Sequence, residues 1–164
     1  MLNKLRLLTF ITLILLLASS VKANAQTNKL PPFRIMQTNG HVFKAEDLPM
    51  GKPILIIYFS PDCDDCLAFM GRFFKQINEF HNASIVMITY LSIDEVAKFS
   101  TAYKVNRYPN IIVGTEAPTI FVRNYYKIME IPFAALYDKN GNKICSYERN
   151  ISIKNLETSL KQLN

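Results

Sequence analysis

The chain has 164 residues, 49% of them apolar and 20% charged, with a formal net charge of +6. That balance excludes a disordered polyelectrolyte and leaves ample material for a buried core. Three cysteines in a chain of this size exclude a disulfide-scaffolded miniprotein, and the basic residues form no cluster of the kind that grips nucleic acid.

Lys4 and Arg6 precede an apolar run over residues 7–18, and Ala23-Asn24-Ala25 offers a small-x-small cleavage site. Residues 1–25 read as a secretory signal peptide and residues 26–164 as a single domain. The run is shorter than the roughly 20 apolar residues of a spanning helix; retention as an N-terminal membrane anchor is the alternative. The signal carries Lys4, Arg6 and Lys22 and no acid, so the mature chain is only mildly basic. Export to the periplasm, an oxidising compartment, permits a disulfide.

Residues 26–32 read as a loose lead-in. Short apolar pieces around Asn39-Gly40 predict a β-hairpin with a two-residue turn. The unbroken apolar run over 54–59 predicts a strand buried on both faces. A helix follows, and Leu67, Met70, Phe74, Ile77 and Phe80 mark its apolar face at steps of three and four. Residues 84–92 predict a second buried strand. Ser92-Ile93-Asp94-Glu95 is a capping box, and the helix that it opens carries Val96, Phe99 and Tyr103 inward. Residues 108–114 read as a short strand or extended piece, and a short helix opens near Pro118. Residues 133–137 and 143–147 read as a hairpin about the turn 139–142. A last helix presents Ile153, Leu156, Leu160 and Leu163 to the core. Strands alternating with helices and ending in a hairpin predict an α/β protein with a mixed central sheet flanked by helices.

The chemistry is concentrated in "FSPDCDDC", residues 59–66. Cys63 falls at the N-terminus of the first helix and Cys66 in its first turn. A thiol attacks as its thiolate, and a helix N-terminus favours an anion. With two residues between them, one thiol can attack a disulfide and the other can resolve the mixed disulfide. Two other readings compete. A structural zinc site wants four ligands, and Cys145, His41 and His81 stand at no metal spacing, so no metal is expected. An inert disulfide would close too short a loop to restrict the unfolded chain much. Asp62, Asp64 and Asp65 oppose a thiolate here by about as much as the helix N-terminus favours it, each effect being roughly 1 kcal/mol or less. The pair is therefore expected to lean towards the reductant end. Alternatively, aspartates in a first helical turn merely suit the helix dipole.

"FRIMQTNGHVFKAEDLPMGKPILIIYFSPDCDDC" and "MEIPFAALYDKNGNKI" resemble two signatures of the exported TlpA-like thiol–disulfide oxidoreductases. The resemblance covers residue 33 onward and implies a thioredoxin-like fold with an N-terminal β-hairpin extension. It also implies that Pro132 is a cis-proline which, with Ile131 before it, shapes a groove for client proteins bearing disulfides. A membrane electron donor would re-reduce the Cys63–Cys66 redox disulfide, and no cofactor is needed. The chain departs from the family in three places. Asp62 replaces the Trp that usually precedes the first cysteine, and the chain has no Trp at all. Ile57 and Phe69 stand where relatives place a proton-relay carboxylate.

Cys145 reads as a small apolar residue, and His41 and His81 as surface residues. The Phe-rich helix face reads as core. The function expected is an exported protein disulfide reductase with catalytic Cys63 and Cys66, acting as a monomer without nucleic acid. The alternatives are a non-catalytic thioredoxin-fold binding module and a peroxiredoxin-like peroxidase, for which "YFSPDCDDC" lacks the expected pattern around a single peroxidatic cysteine.

Overall fold

The computed structural model describes residues 28–49 and 51–163; the segment read as a signal peptide, residues 1–25, lies outside them. Seven strands form one mixed sheet in the order β2-β1-β5-β4-β3-β6-β7. β3 (Ile54–Tyr58), β4 (Ser84–Thr89) and β5 (Ile111–Thr115) are parallel. β6 (Phe133–Tyr137) runs antiparallel to β3, and β7 (Lys143–Glu148) antiparallel to β6. β1 (Arg34–Met36) and β2 (Val42–Lys44) form the N-terminal hairpin, attached to β5 through Met36 and Thr115. Gly114 permits that attachment, because a Cβ there would stand 2.6 Å from the Met36 carbonyl oxygen.

The helices are α1 (Asp64–Lys75), α2 (Ile93–Ala102), α3 (Phe121–Tyr126) and α4 (Ile153–Lys161). β3, β4 and β6 are buried along their whole length, in keeping with apolar runs to which only Ser84 and Thr89, at the two ends of β4, are exceptions. One face of the sheet, with Leu55, Ile57 and Met87, packs under α1, α2 and α4. The other, with Ile56, Tyr58 and Ile88, lies under Phe33, Ile35 and Val122. Ser92 accepts a hydrogen bond from the Glu95 N–H, and Ser152 one from the Asn155 N–H, so α2 and α4 both begin at a serine side-chain cap.

Three details differ from the sequence expectation. The first hairpin turns through residues 37–41, closed by Gln37 N–H to the His41 carbonyl at 2.9 Å, with Gly40 at φ +79°. α1 ends at Lys75, so Ile77 and Phe80 belong to a separate 3-10 turn, Ile77–Phe80; the inward face of α1 is Cys66, Phe69, Met70 and Phe73, while Leu67 stays 39% exposed and Phe74 is half-buried. Residues 28–30 are pinned by main-chain bonds: Lys143 N–H to Asn28 O at 2.8 Å and Leu30 N–H to Gly141 O at 3.0 Å.

Candidate active site

β3, β4 and β5 all end at one pole of the sheet, and β6 begins there, because Phe133 lies beside Tyr58. The chain leaves β3 through Ser60 and Pro61 and enters α1 at Cys63. Cys63 is the N-cap residue, in extended backbone, and its Sγ accepts a hydrogen bond from the Cys66 N–H at 3.4 Å. A main-chain donor thus points at the first sulfur. Cys63 is half-exposed and Cys66 is buried, so only the first sulfur is open to solvent. Both thiols are free in this structure.

Burial pushes the Cys66 thiol up to about 12; a backbone hydrogen bond with Ser60 pulls the other way, and Cys63 and Asp65 raise it further. Cys66 therefore keeps its proton at neutral pH, which suits a resolving thiol. Ser60 is fully buried, and its hydroxyl donates to the Asp62 carboxylate. That bond holds one of the three aspartates back against the strand end. Asp64 and Asp65 occupy the first turn of α1, exposed to solvent.

The Ile131–Pro132 peptide is cis, and Pro132 is buried. Ile131 packs against the same core layer as Cys63. Arg149, just past β7, completes the surroundings. Its N–H donates to the Pro132 carbonyl at 2.7 Å, its Nη1 lies 2.9 Å from Glu130 Oε1, and its Nε lies 3.7 Å from Asp65 Oδ2. The proline loop and the cysteine helix thus come within the reach of one side chain. Cys63, Cys66, Ile131 and Pro132 are gathered at this pole, together with Arg149 and Glu130, which carried no signal in the sequence.

The relay positions are apolar in fact as in sequence. Ile57 and Phe69 are fully buried in the core. A buried carboxylate does exist, but on the opposite face. Glu116 is 3% exposed and accepts from the Tyr58 hydroxyl at 2.8 Å and the Val122 N–H at 2.7 Å. Those two donors satisfy it as a structural group beside the cis Ala117–Pro118 peptide. Cys145 stands half-buried opposite Leu136 in the β6–β7 ladder, and His41 and His81 are exposed. Among the described residues no three His, Cys, Asp or Glu side chains gather as metal ligands, and no helix is long and apolar enough to cross a membrane.

A mixed sheet whose central strand delivers a Cys-x-x-Cys pair to a helix N-terminus, facing a cis-proline before an antiparallel strand, defines a thioredoxin-fold protein of the redox-enzyme class. Solved structures agree on the fold. A thiol:disulfide interchange protein of the thioredoxin family from Chlorobium tepidum superposes with a TM-score of 0.66 at 17% identity, covering 86% of this chain and 99% of its own. The exposed lipoprotein thioredoxin of Streptococcus pneumoniae gives 0.62 at 20% identity, covering 81% and 100%. A thioredoxin-like protein from Aeropyrum pernix gives 0.63 at 14%, covering 80% and 89%. Residues 27–157 match the AhpC/TSA family, and the chain belongs to it. No curated protein matches the sequence. The thioredoxin-fold resemblance read from the sequence thus holds in family and in fold.

Proposed function

We propose that this protein is an exported thiol–disulfide oxidoreductase that reduces disulfides in client proteins through Cys63 and Cys66. One observation carries the reading: a half-exposed Cys63 sulfur at a helix N-cap, with a buried, protonated Cys66 one turn below. In the reaction Cys63, as thiolate, attacks one sulfur of the client disulfide. A mixed disulfide forms and the other client sulfur leaves as a thiolate. Cys66 then gives up its proton and attacks Cys63 Sγ. The Cys63–Cys66 disulfide forms and the second client thiolate leaves. The client gains two electrons and two protons and the protein loses them, so a membrane dithiol donor must restore the pair. Ile131 and Pro132 shape the surface on which the client segment lies. The protein works in the periplasm as a monomer and needs no cofactor.

A second reading, a thioredoxin scaffold that binds partners without turnover, draws on Ile57 and Phe69. Both are buried where relatives carry proton-relay acids. The decisive experiment is equilibration against dithiothreitol and glutathione, with Cys66→Ser tested in parallel for trapped mixed disulfides. A reversible potential near that of thioredoxin, roughly −270 mV, with clients trapped by the variant, supports the reductase. A potential well above about −180 mV makes it an oxidant or isomerase. No exchange and no trapping favours the binding scaffold, and peroxide consumption in place of disulfide exchange favours the peroxidase.

A further inference from the structure

Arg149 is joined to both walls of the cysteine site. Glu130 belongs to the loop that leads into Ile131–Pro132, and Asp65 stands next to Cys66 in the first turn of α1. The Arg149 guanidinium meets the first at 2.9 Å and the second at 3.7 Å, while its own N–H holds the Pro132 carbonyl at 2.7 Å. Its backbone is in the left-handed region, at φ +56°. Glycine is the usual occupant of that conformation, because it has no Cβ to clash. Arginine there brings a planar fork whose several N–H groups can meet two carboxylates at once, which the single ammonium of lysine does poorly.

We infer that Arg149 is a positioning residue that ties the cis-proline loop to the cysteine helix and so sets the surface on which an extended client segment docks. This role rests on the thiol–disulfide reading above. Arg149 touches neither cysteine, so it acts on the fit of a peptide substrate and not on the sulfur chemistry. The side chains of Arg149, Asp65 and Glu130 are 54%, 63% and 51% exposed. Such pairs are weak and screened by salt, so the tie holds the loop in place yet yields when a client enters.

The test compares two substrates of the reduced protein: a disulfide-linked peptide long enough to cross the site, and hydroxyethyl disulfide, which is too small to do so. The chain has no Trp to report the reaction by fluorescence, so rates are read by acid quench, alkylation and mass spectrometry. Arg149→Gly is the clean variant, since glycine keeps the positive φ and the N–H to Pro132 while removing the fork. It is expected to reduce the peptide about fivefold more slowly while keeping most of its rate on the small disulfide. Arg149→Lys falls between the two, and Glu130→Gln shows the same substrate split as Arg149→Gly. The wild-type advantage on the peptide shrinks in about 0.5 M salt. Equal rates for wild type and Arg149→Gly overturn the role, and so does an equal loss on both substrates, which would place Arg149 in the thiol chemistry itself. A wild type inert towards both disulfides removes the redox reading and this role together. Should Arg149→Gly not fold, Glu130→Gln carries the comparison from the exposed loop.

Discussion

The burial of the Cys66 thiol has a quantitative consequence for its labelling. In a Cys63→Ser, Cys145→Ala variant, Cys66 is the remaining thiol and can be labelled alone with iodoacetamide. Burial is the main cause of its high value of about 12, and removing Cys63 takes away only a lesser contribution. At pH 8 a thiol at about 12 is ionised in about one molecule in ten thousand, against about one in four for an ordinary thiol near 8.5. Since the thiolate is the reacting form, Cys66 should label about three orders of magnitude more slowly than an exposed cysteine, before its burial slows access further. The rate should climb about tenfold per pH unit from pH 7.5 to 10, without a plateau, followed by mass spectrometry of the labelled protein. A curve that levels off near pH 8.5–9 would mean that the thiol is hydrated and ordinary. The division of labour between the two sulfurs would then be wrong.

Three further outcomes follow from the same structure. The raised Cys66 value links stability to alkali: below about pH 8.5 its contribution is complete, and it is lost as pH rises towards about 12, because the unfolded chain releases the proton first. Urea unfolding of the reduced protein should show wild type losing about 1.5 kcal/mol more than Cys66→Ala between pH 8.5 and 10, and parallel curves would contradict this. Gly114→Ala sets a Cβ 2.6 Å from the Met36 carbonyl oxygen and should cost about 1–3 kcal/mol as the hairpin is pushed off β5; an unchanged Tm counts against the close approach. Tyr58→Phe leaves Glu116 Oε1 without its 2.8 Å donor and should lower stability by about 1–3 kcal/mol while leaving the reduction potential alone. A shifted potential would show that the far face is coupled to the cysteines.

What the sequence disclosed was what local pattern encodes. The runs "ILIIY" and "IVMI", the latter within Ser84–Thr89, announce strands buried on both faces, because no residue of either run needs water on one side. Cys63 at a helix start followed from Ser60-Pro61 ending an apolar run. Pattern alone leaves the face of α1 open, because apolar residues cover more than one stripe of it: 67-70-74 and 66-69-70-73 both satisfy a helical period, and only packing under the sheet selects the second. Arg149 carries no local signal, because its ion partner Glu130 lies 19 residues away across a hairpin and nothing in "YERN" marks a left-handed arginine. Glu116 follows an apolar strand and reads as the first solvated residue after it. It is buried because Tyr58, 58 residues earlier, supplies a donor from two strands over.

The bonds that pin residues 28–30 to the turn between β6 and β7 also decide how the molecule would be presented to its surroundings. That turn lies at the Ile54 end of the sheet, because Tyr137 pairs with Ile54, while Cys63 follows Tyr58 at the other end. From Leu30 the chain then crosses beneath the sheet through Phe33 and Ile35 to reach β5. A tether through the amino end would therefore leave from the pole opposite the cysteines. Anchored to a bilayer, fused to another domain or fixed to a solid support by that end, the protein would turn Cys63 outward.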